Sequence, residues 1–378
     1  MLGTLLVMTS LLDSADVVVV GAGIVGLAHA VDAVRRGLSV VVVERDGRAV
    51  GASVRNFGHG CFTAQDGDAL RYGTTARAAW LRLAKETGLW LRDAGTVVVA
   101  RADDEYAVLE EFAAARDGHA VLLDAGQVAE RVPVGPGVVG GAWLPLDIRV
   151  DPRQAVHAIA DWLAGQGVRF HWATSVHLVE PGAVVTSRGR VGAGRVVFAV
   201  GHHVDRHFPG LAAEFGLRRC ALHMLRVADP YGRTVDPAVL SGFSLLRYGG
   251  FTACPGVAAV RSRLEAEHPD LVGIGLNLMF TQRPDGDLIV GDTHAYGDTF
   301  DPFQADELDR HVLAETGRLL GADRLTVRER WRGVYSSAPE PFLIAAPMPG
   351  VRVVAVTSGI GMTTALGLAP EVLDDLLG

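Results

Sequence analysis

The run Gly21-Ala22-Gly23-Ile24-Val25-Gly26 lies between an apolar, β-branched stretch, Val17 to Val20, and a helix-like stretch from Ile24 to Arg36. Three glycines at this spacing leave the backbone few alternatives. The first permits a tight turn, the second lets backbone amides approach a bound pyrophosphate, and the third lets helix pack on strand. A second apolar run, Leu38 to Val43, ends at Glu44. Strand, helix and strand thus follow within about 30 residues, the length of one βαβ unit. An acidic residue in that place accepts hydrogen bonds from adenosine ribose hydroxyls and disfavours a 2′-phosphate. The helix N-terminus adds a dipole that suits an anion. Gly21 through Gly26, Glu44 and the adjoining Arg45 are therefore expected to hold an ADP-containing dinucleotide. NAD and FAD both present ADP, and the fingerprint does not separate them.

Past Gly51 the chain is glycine-rich and irregular through Gly60, and helical periodicity returns from Ala76 to Thr87. A strand is predicted over Thr96 to Ala100 and a helix around Glu105 to Arg116. Asp151 and Pro152 open a helix over Arg153 to Gln166, with an aspartate cap and proline in the first turn. Short strands are predicted at Val168 to Ala173, Ser175 to Glu180 and Arg195 to Val200. A strand-rich region follows from about Leu217 to His294, with a hairpin turn at Pro284-Asp285-Gly286-Asp287. A helix near Ala305 to Leu320 precedes a last strand, Val351 to Val356, then Ser358-Gly359-Ile360-Gly361 and a final helix. No repeat or low-complexity linker divides the chain. The expected architecture is α/β: a Rossmann-like dinucleotide domain (15–75, 150–215 and 330–378) interleaved with an α+β substrate domain on an antiparallel sheet (76–149 and 216–329).

Charge and composition narrow the class of partner. A net charge of −8 and a pI near 5.9 argue against a nucleic-acid surface, which is typically a basic stripe that displaces counterions. No apolar run is long enough to span a bilayer. The opening run Leu2 to Met8 lacks a basic n-region and cleavage site, and reads as a ragged extension, with Met8 as a possible start. Cys61, Cys220 and Cys254 are odd in number and lack metal-ligand spacing, which suits reduced thiols in a cytoplasm. His202-His203 has no carboxylate or cysteine companion, so no metal is expected.

Two further loops point to a flavin. Gly51-Ala52-Ser53 places a small hydroxyl residue shortly after Glu44, where a flavin's phosphate and ribityl chain would pass. The run Gly359-Ile360-Gly361-Met362-Thr363-Thr364 precedes a helix, so its amides could face the electron-rich pyrimidine edge of a reduced flavin. Taken with Val17 to Gly26, Glu44-Arg45, Asp151-Pro152 and Phe198 to Gly201, these segments resemble the D-amino-acid oxidase superfamily, with glycine oxidase and sarcosine oxidase similar in pattern. The resemblance covers nearly the whole chain. It implies FAD, hydride transfer from a substrate α-carbon to flavin N5, and a cofactor site that takes in Ala52, Ser53, Val176, Gly201, Gly359, Ile360, Gly361, Met362 and Thr363. The run Gly51 to Gly58 further resembles a bacterial subgroup that travels with phosphonate metabolism, which implies aminophosphonates as substrates.

Departures from the pattern carry information too. Sarcosine oxidases attach flavin through a cysteine ahead of a Tyr-x-x-x-Pro segment, and here Gly333 stands there. Arg55 occupies the place of the histidine that dimethylglycine-type enzymes use. Non-covalent FAD is the expectation. Tyr335 replaces glycine oxidase's carboxylate-binding arginine and is similar to the active-site tyrosine of sarcosine oxidase. His294 is similar to that enzyme's substrate-facing histidine, and Thr363 replaces its flavin-side lysine. Lys85 is the only lysine in the chain.

Oxidation of a neutral amine needs orientation more than an acid or base, because the nitrogen lone pair drives C–H cleavage. His59, His294 and Tyr335 are the candidate catalytic residues. His59, between two glycines, either orients the amine or is a loop histidine bonded to backbone. Arg55, Arg247 and Arg332, with Arg330, are the cations available for a carboxylate or phosphonate. Trp143 and Trp331 read as core or pocket wall. The expected activity is an FAD-dependent amine oxidase that takes a small aminophosphonate, N-methylated amine or amino acid and yields an imine, then an aldehyde or keto product, and hydrogen peroxide, with the amine and dioxygen as partners. An acceptor-linked dehydrogenase and a flavin-carrying relay subunit are the alternatives.

Overall fold

The computed structural model describes residues 10–378; the opening run Leu2 to Met8 lies outside them. Five parallel strands form the centre, in the spatial order Arg169–His171, Val40–Val43, Leu11–Val20, Gly189–Phe198 and Val351–Ser358. Strand alternation separates two apolar layers. Val17, Val19, Val40, Val42 and Val197 face helices Ile24–Arg35, Gly67–Thr87, Pro152–Gly165 and Gly361–Leu377. Val18, Val20, Val41, Val43 and Phe198 face the opposite layer. The valines of the first two strands are at most 3% exposed. Burial of each contributes on the order of 1.5–3 kcal/mol, and this is why near-continuous valine runs read as inner parallel strands.

One 19-residue strand, Val327–Ala345, carries the sheet onward. Its first part pairs antiparallel with Arg218–Val227 and its last part with Val351–Ser358. The second ladder is interrupted between Ser337 and Phe342, where Pro339 and Pro341 cannot donate. Beyond Arg218–Val227 the 16-stranded sheet continues through Leu288–Gly291, Met279–Gln282, Ala238–Leu240, Thr96–Ala100, Gly140–Leu144 and Val121–Asp124. A third apolar cluster packs this part against helices Asp103–Ala114, Val257–Glu267 and Asp306–Leu320.

The capped helix at Asp151 forms as its sequence predicts, with the Asp151 carboxylate accepting from the Arg153 amide at 3.0 Å. The hairpin through Pro284 to Asp287 also forms, joining Met279–Gln282 to Leu288–Gly291. Two segments differ from expectation. The helix expected from Ala76 begins at Gly67, capped by Asp66, and the glycines at 67 and 73 conceal its first turns. Residues within the expected strand-rich region fold as helices, including Val257–Glu267. That segment consists of good helix formers and buries only Val260 and Leu264, four residues apart, so strand-like alternation never develops. Among the described residues no helix is long and apolar enough to cross a membrane.

Candidate active site

A cavity of about 490 Å³ opens where the parallel strands end and the N-termini of helices Ile24–Arg35 and Gly361–Leu377 converge. Neither helix has a side-chain cap from its N-cap residue, Gly23 or Ile360. The Ile24 amide is taken by Ser53 Oγ, and the first-turn amides not bonded within the protein remain available to a bound anion.

The glycines form the cradle that the spacing predicts. Gly21 has φ +103°, and a Cβ there would stand 2.5 Å from the Ala199 carbonyl oxygen. A Cβ on Gly26 would fall 1.9 Å from the Gly21 carbonyl oxygen, so only glycine lets the helix cross here. Glu44 Oε2 accepts from the Ala22 amide at 2.8 Å, and Oε1 accepts from the Asp46 amide at 3.0 Å. Ser53 Oγ accepts from the Ile24 amide at 2.9 Å, which ties the 51–60 loop to the helix start. Gly21, Gly23, Ile24, Val25, Glu44, Arg45, Ala52, Ser53, Arg55, Val176, Gly201, Tyr335, Gly359, Gly361 and Met362 line the cavity. Ala22 and Gly26 support it through the contacts just described. Ile360 caps the last helix. Thr363 is buried behind it, its hydroxyl accepting from the Cys61 amide at 3.2 Å. Trp80 fixes this end, its indole donating to the Met362 carbonyl at 2.8 Å.

These residues fit a dinucleotide. Gly21 and Gly26 shape a cradle that a Cβ would fill, Glu44 supplies an acceptor at one end, and a second uncapped helix closes the other. The size lies within the usual range of about 300–1,000 Å³ for cofactor pockets. Sequence reading weighed His202 and His203 only as metal ligands and did not single out Arg206; all three line the cavity. Burial, reinforced by neighbouring cations, lowers the imidazoles of His202 and His203 to about 4 and about 3. Both rings are thus neutral at pH 7.

The candidate substrate residues separate into distinct groups. Arg247 Nη2 donates to the Tyr335 hydroxyl at 2.6 Å and to the Ser358 carbonyl at 3.2 Å. This places the guanidinium one side chain beyond the cavity, with Tyr296 on its other side at 3.5 Å. Among the described residues no carboxylate lies within 4.0 Å of Arg247. Burial alone would lower its pKa, but Tyr335, Tyr296 and Asp292 outweigh that and raise it. Arg332 turns away, donating to the Asp301 and Phe303 carbonyls. Arg330 is spent on Asp309. His294 Nδ1 bonds the Gly275 carbonyl at 2.9 Å, and burial followed by Arg247 lowers its pKa to about 3.

His59 belongs to a buried hydrogen-bonded knot. Thr96 gives its one hydroxyl proton to Asp147 Oδ2 at 2.8 Å, so it must accept from His59 Nε2 at 2.7 Å. His59 Nδ1 is left buried without a partner. Asp147 Oδ1 meanwhile accepts from the Phe62 and Thr63 amides and the Thr63 hydroxyl, each at 2.9 Å. Ligand atoms of His59, Cys61 and Asp147 lie within 4.8 Å of one another. Hydrogen bonds through Thr96 account for the approach of His59 to Asp147, and burial holds the Cys61 thiol well above its usual pKa, in the protonated form that binds metals poorly. None of the three cysteines lines the cavity.

Fold and cavity together define a dinucleotide-binding protein. Residues 16–374 match the family described as FAD dependent oxidoreductase (DAO), and the chain belongs to that family. Among curated proteins it is similar to an opine oxidase subunit of Rhizobium meliloti, 27% identical over 256 residues that cover 62% of this chain and 68% of that protein. Its fold is that of L-proline dehydrogenase from P. horikoshii, with a TM-score of 0.79, 21% identity, and coverage of 96% of this chain and 93% of that one. Glycine oxidase from Bacillus cereus is similar at a TM-score of 0.78, 17% identity, and coverage of 96% and 95%.

Proposed function

We propose that this chain is an FAD-dependent amine oxidase whose substrate is a small amine bearing an anionic group: an aminophosphonate, an N-methylated amino acid or an amino acid. One observation carries this reading. Arg247 is a partly buried cation with no carboxylate partner among the described residues, held by Tyr335 at the edge of the dinucleotide cavity. A desolvated, unpaired guanidinium is costly unless a ligand supplies the anion. The names of the relatives, an opine oxidase subunit and a glycine oxidase, also support an amine substrate.

When bound, FAD supplies the two-electron acceptor for the carbon beside the amine. The chain's own residues provide placement. Glu44 and the Gly21–Gly26 turn hold the ADP half, and the Gly359–Thr363 loop presents its helix N-terminus to the flavin ring. Arg247 takes the carboxylate or phosphonate of the substrate, and Tyr335 fixes the guanidinium in position. The cofactor is held without a covalent bond to cysteine, because the cysteines stand outside the cavity lining.

The test is a screen of amino acids, N-methyl amines and aminophosphonates, read for flavin bleaching without oxygen and for peroxide with it. Bleaching by an anionic amine supports the proposal, and no bleaching by any of them refutes it. An acceptor-linked dehydrogenase is a second reading, favoured by one observation. No lysine flanks the cavity, since the sole lysine, Lys85, lies exposed on helix Gly67–Thr87. Rapid bleaching followed by slow reoxidation in air would select it.

A further inference from the structure

We propose that Asp292 receives the ammonium end of the substrate and takes up the proton that the amine must lose before oxidation, so that the site selects zwitterions. The assignment rests on the reading above and adds a residue that sequence reasoning did not single out.

Asp292 follows strand Leu288–Gly291 and is 4% exposed. Its Oδ1 accepts from Asn277 Nδ2 at 3.1 Å. No side chain among the described residues donates a hydrogen bond to its Oδ2, and His294 Nε2 stands 3.8 Å from it, neither of these two atoms being fully buried and unpartnered. His294 does not supply the missing donor. Its Nδ1 faces the Gly275 carbonyl at 2.9 Å and must carry the proton, which leaves Nε2 as a bare lone pair. Once Asp292 is ionised, two acceptors therefore stand side by side without a proton between them. Asn277, which holds Asp292, has its own Oδ1 buried without a partner. Buried acceptors are costly when unsatisfied. An ammonium, with up to three N–H donors and a positive charge, is the chemical complement of this group.

Charge points the same way. Arg247 and Asp292 are close enough to influence each other's ionisation, yet no ion pair within 4.0 Å joins them among the described residues. Direct pairing would be the ordinary structural outcome for opposite charges in one interior. Instead Arg247 is held back by Tyr335 and the Ser358 carbonyl, and Asp292 by Asn277. Each charge is thus left without an opposite partner among the described residues, and a molecule that carries an anion at one end and a cation at the other would supply both.

Burial raises the Asp292 carboxyl to about 7, with Arg247 and Asn277 acting in the opposite direction. A carboxylate with that affinity is matched to proton uptake near neutral pH. The groups facing it are Arg247, His294, Tyr248, Tyr296 and Cys220. In the step itself one substrate N–H bond breaks and an O–H bond forms at Asp292 Oδ2. The freed nitrogen pair then forms the C=N bond as the C–H pair leaves as hydride, with FAD as the oxidant.

The test uses flavin-loaded protein and ligands that cannot be oxidised, because their amine-bearing carbon has no hydrogen. The matched pairs are 2-aminoisobutyrate with isobutyrate, and (2-amino-2-methylpropyl)phosphonate with (2-methylpropyl)phosphonate, each titrated by its perturbation of the flavin spectrum. Wild type should bind the amine-bearing member of at least one pair at least about tenfold more tightly than its partner. Asp292→Asn should lose that preference while retaining FAD and melting no lower than wild type. Flavin reduction by any amine that bleaches wild type should level off above neutral pH in wild type. In Asp292→Asn it should keep rising with the free-amine fraction. Equal binding within both pairs, no binding of either pair, or a preference that survives in Asp292→Asn overturns the proposal. If the preference holds but no amine bleaches the flavin, Asp292 keeps its role and the oxidase reading falls. Bleaching without the preference gives the reverse.

Discussion

Replacing Gly26 by alanine tests the nucleotide cradle through a single methyl group. The new Cβ would lie 1.9 Å from the Gly21 carbonyl oxygen, whereas ordinary contact begins at 3.4 Å, so the helix must retreat by about 1.5 Å. The obstacle is backbone and has no rotamer to relieve it. In an unobstructed helix the change would stabilise by about 1 kcal/mol through propensity. Here overpacking should reverse the sign and cost about 1–3 kcal/mol. The same retreat would stretch the Ile24 N to Ser53 Oγ bond, now 2.9 Å, beyond hydrogen-bond range. First-turn amides would withdraw from the pyrophosphate, and loss of one charge-assisted hydrogen bond, about 1.5–3 kcal/mol, weakens FAD binding by roughly 10- to 100-fold. The assay is titration of apo-protein with FAD, followed by quenching of flavin fluorescence, beside thermal unfolding with and without cofactor. Gly165→Ala is the control, since Gly165 is helical and nothing lies within 4 Å of the position its Cβ would take. That variant should hold its stability and its FAD. If Gly26→Ala also binds FAD within about twofold of wild type and melts no lower, the cradle argument is wrong.

Glu44→Gln keeps the shape but replaces a carboxylate that accepts from two amides at 2.8 and 3.0 Å, so FAD affinity should fall by roughly 10- to 100-fold; unchanged affinity would remove Glu44 from the site. Tyr335→Phe deletes the hydroxyl that positions Arg247 at 2.6 Å; stopped-flow reduction by substrate should slow by about 10- to 100-fold with FAD content intact, and an unchanged rate would take Tyr335 out of the pocket. Asp292 carries a pH signature in stability. Its carboxyl, raised from 3.8 to about 7 by burial, holds a proton in the folded protein that the unfolded chain releases. Its contribution is complete below about pH 4 and is lost as pH rises through about 7. In chemical unfolding from pH 5 to 8, Asp292→Asn should therefore gain on wild type as pH rises, and parallel stability curves would contradict the shift.

The sequence was most informative where one residue type has one physical use. The Gly21–Gly26 turn, the valine strands beside it and the Asp151-Pro152 cap could be read because glycine spacing, two-sided burial and capping each leave a local signature. Strand Val327–Ala345 left none. Its two halves pair with different neighbours, and Gly333, Pro339 and Pro341 break the alternation. The substrate end was harder for a related reason. Arg247 comes from a segment about 45 residues before the one that carries both Asp292 and Tyr296, and the two segments meet only through tertiary packing, so nothing near Gly291-Asp292 distinguishes a buried carboxylate from an ordinary turn. Arg332 shows the converse. It lies three residues from Tyr335 on the same strand, yet it points to the carbonyls of Asp301 and Phe303 and away from the cavity.

The central claim is that one FAD spans the two uncapped helix N-termini. Acid precipitation of purified protein, reconstituted with FAD if necessary, with the released flavin quantified against chain, tests it most directly. The account predicts a yellow protein that releases one FAD per chain into the supernatant. A colourless protein that refuses reconstitution, or flavin that stays with the precipitated polypeptide, would contradict it.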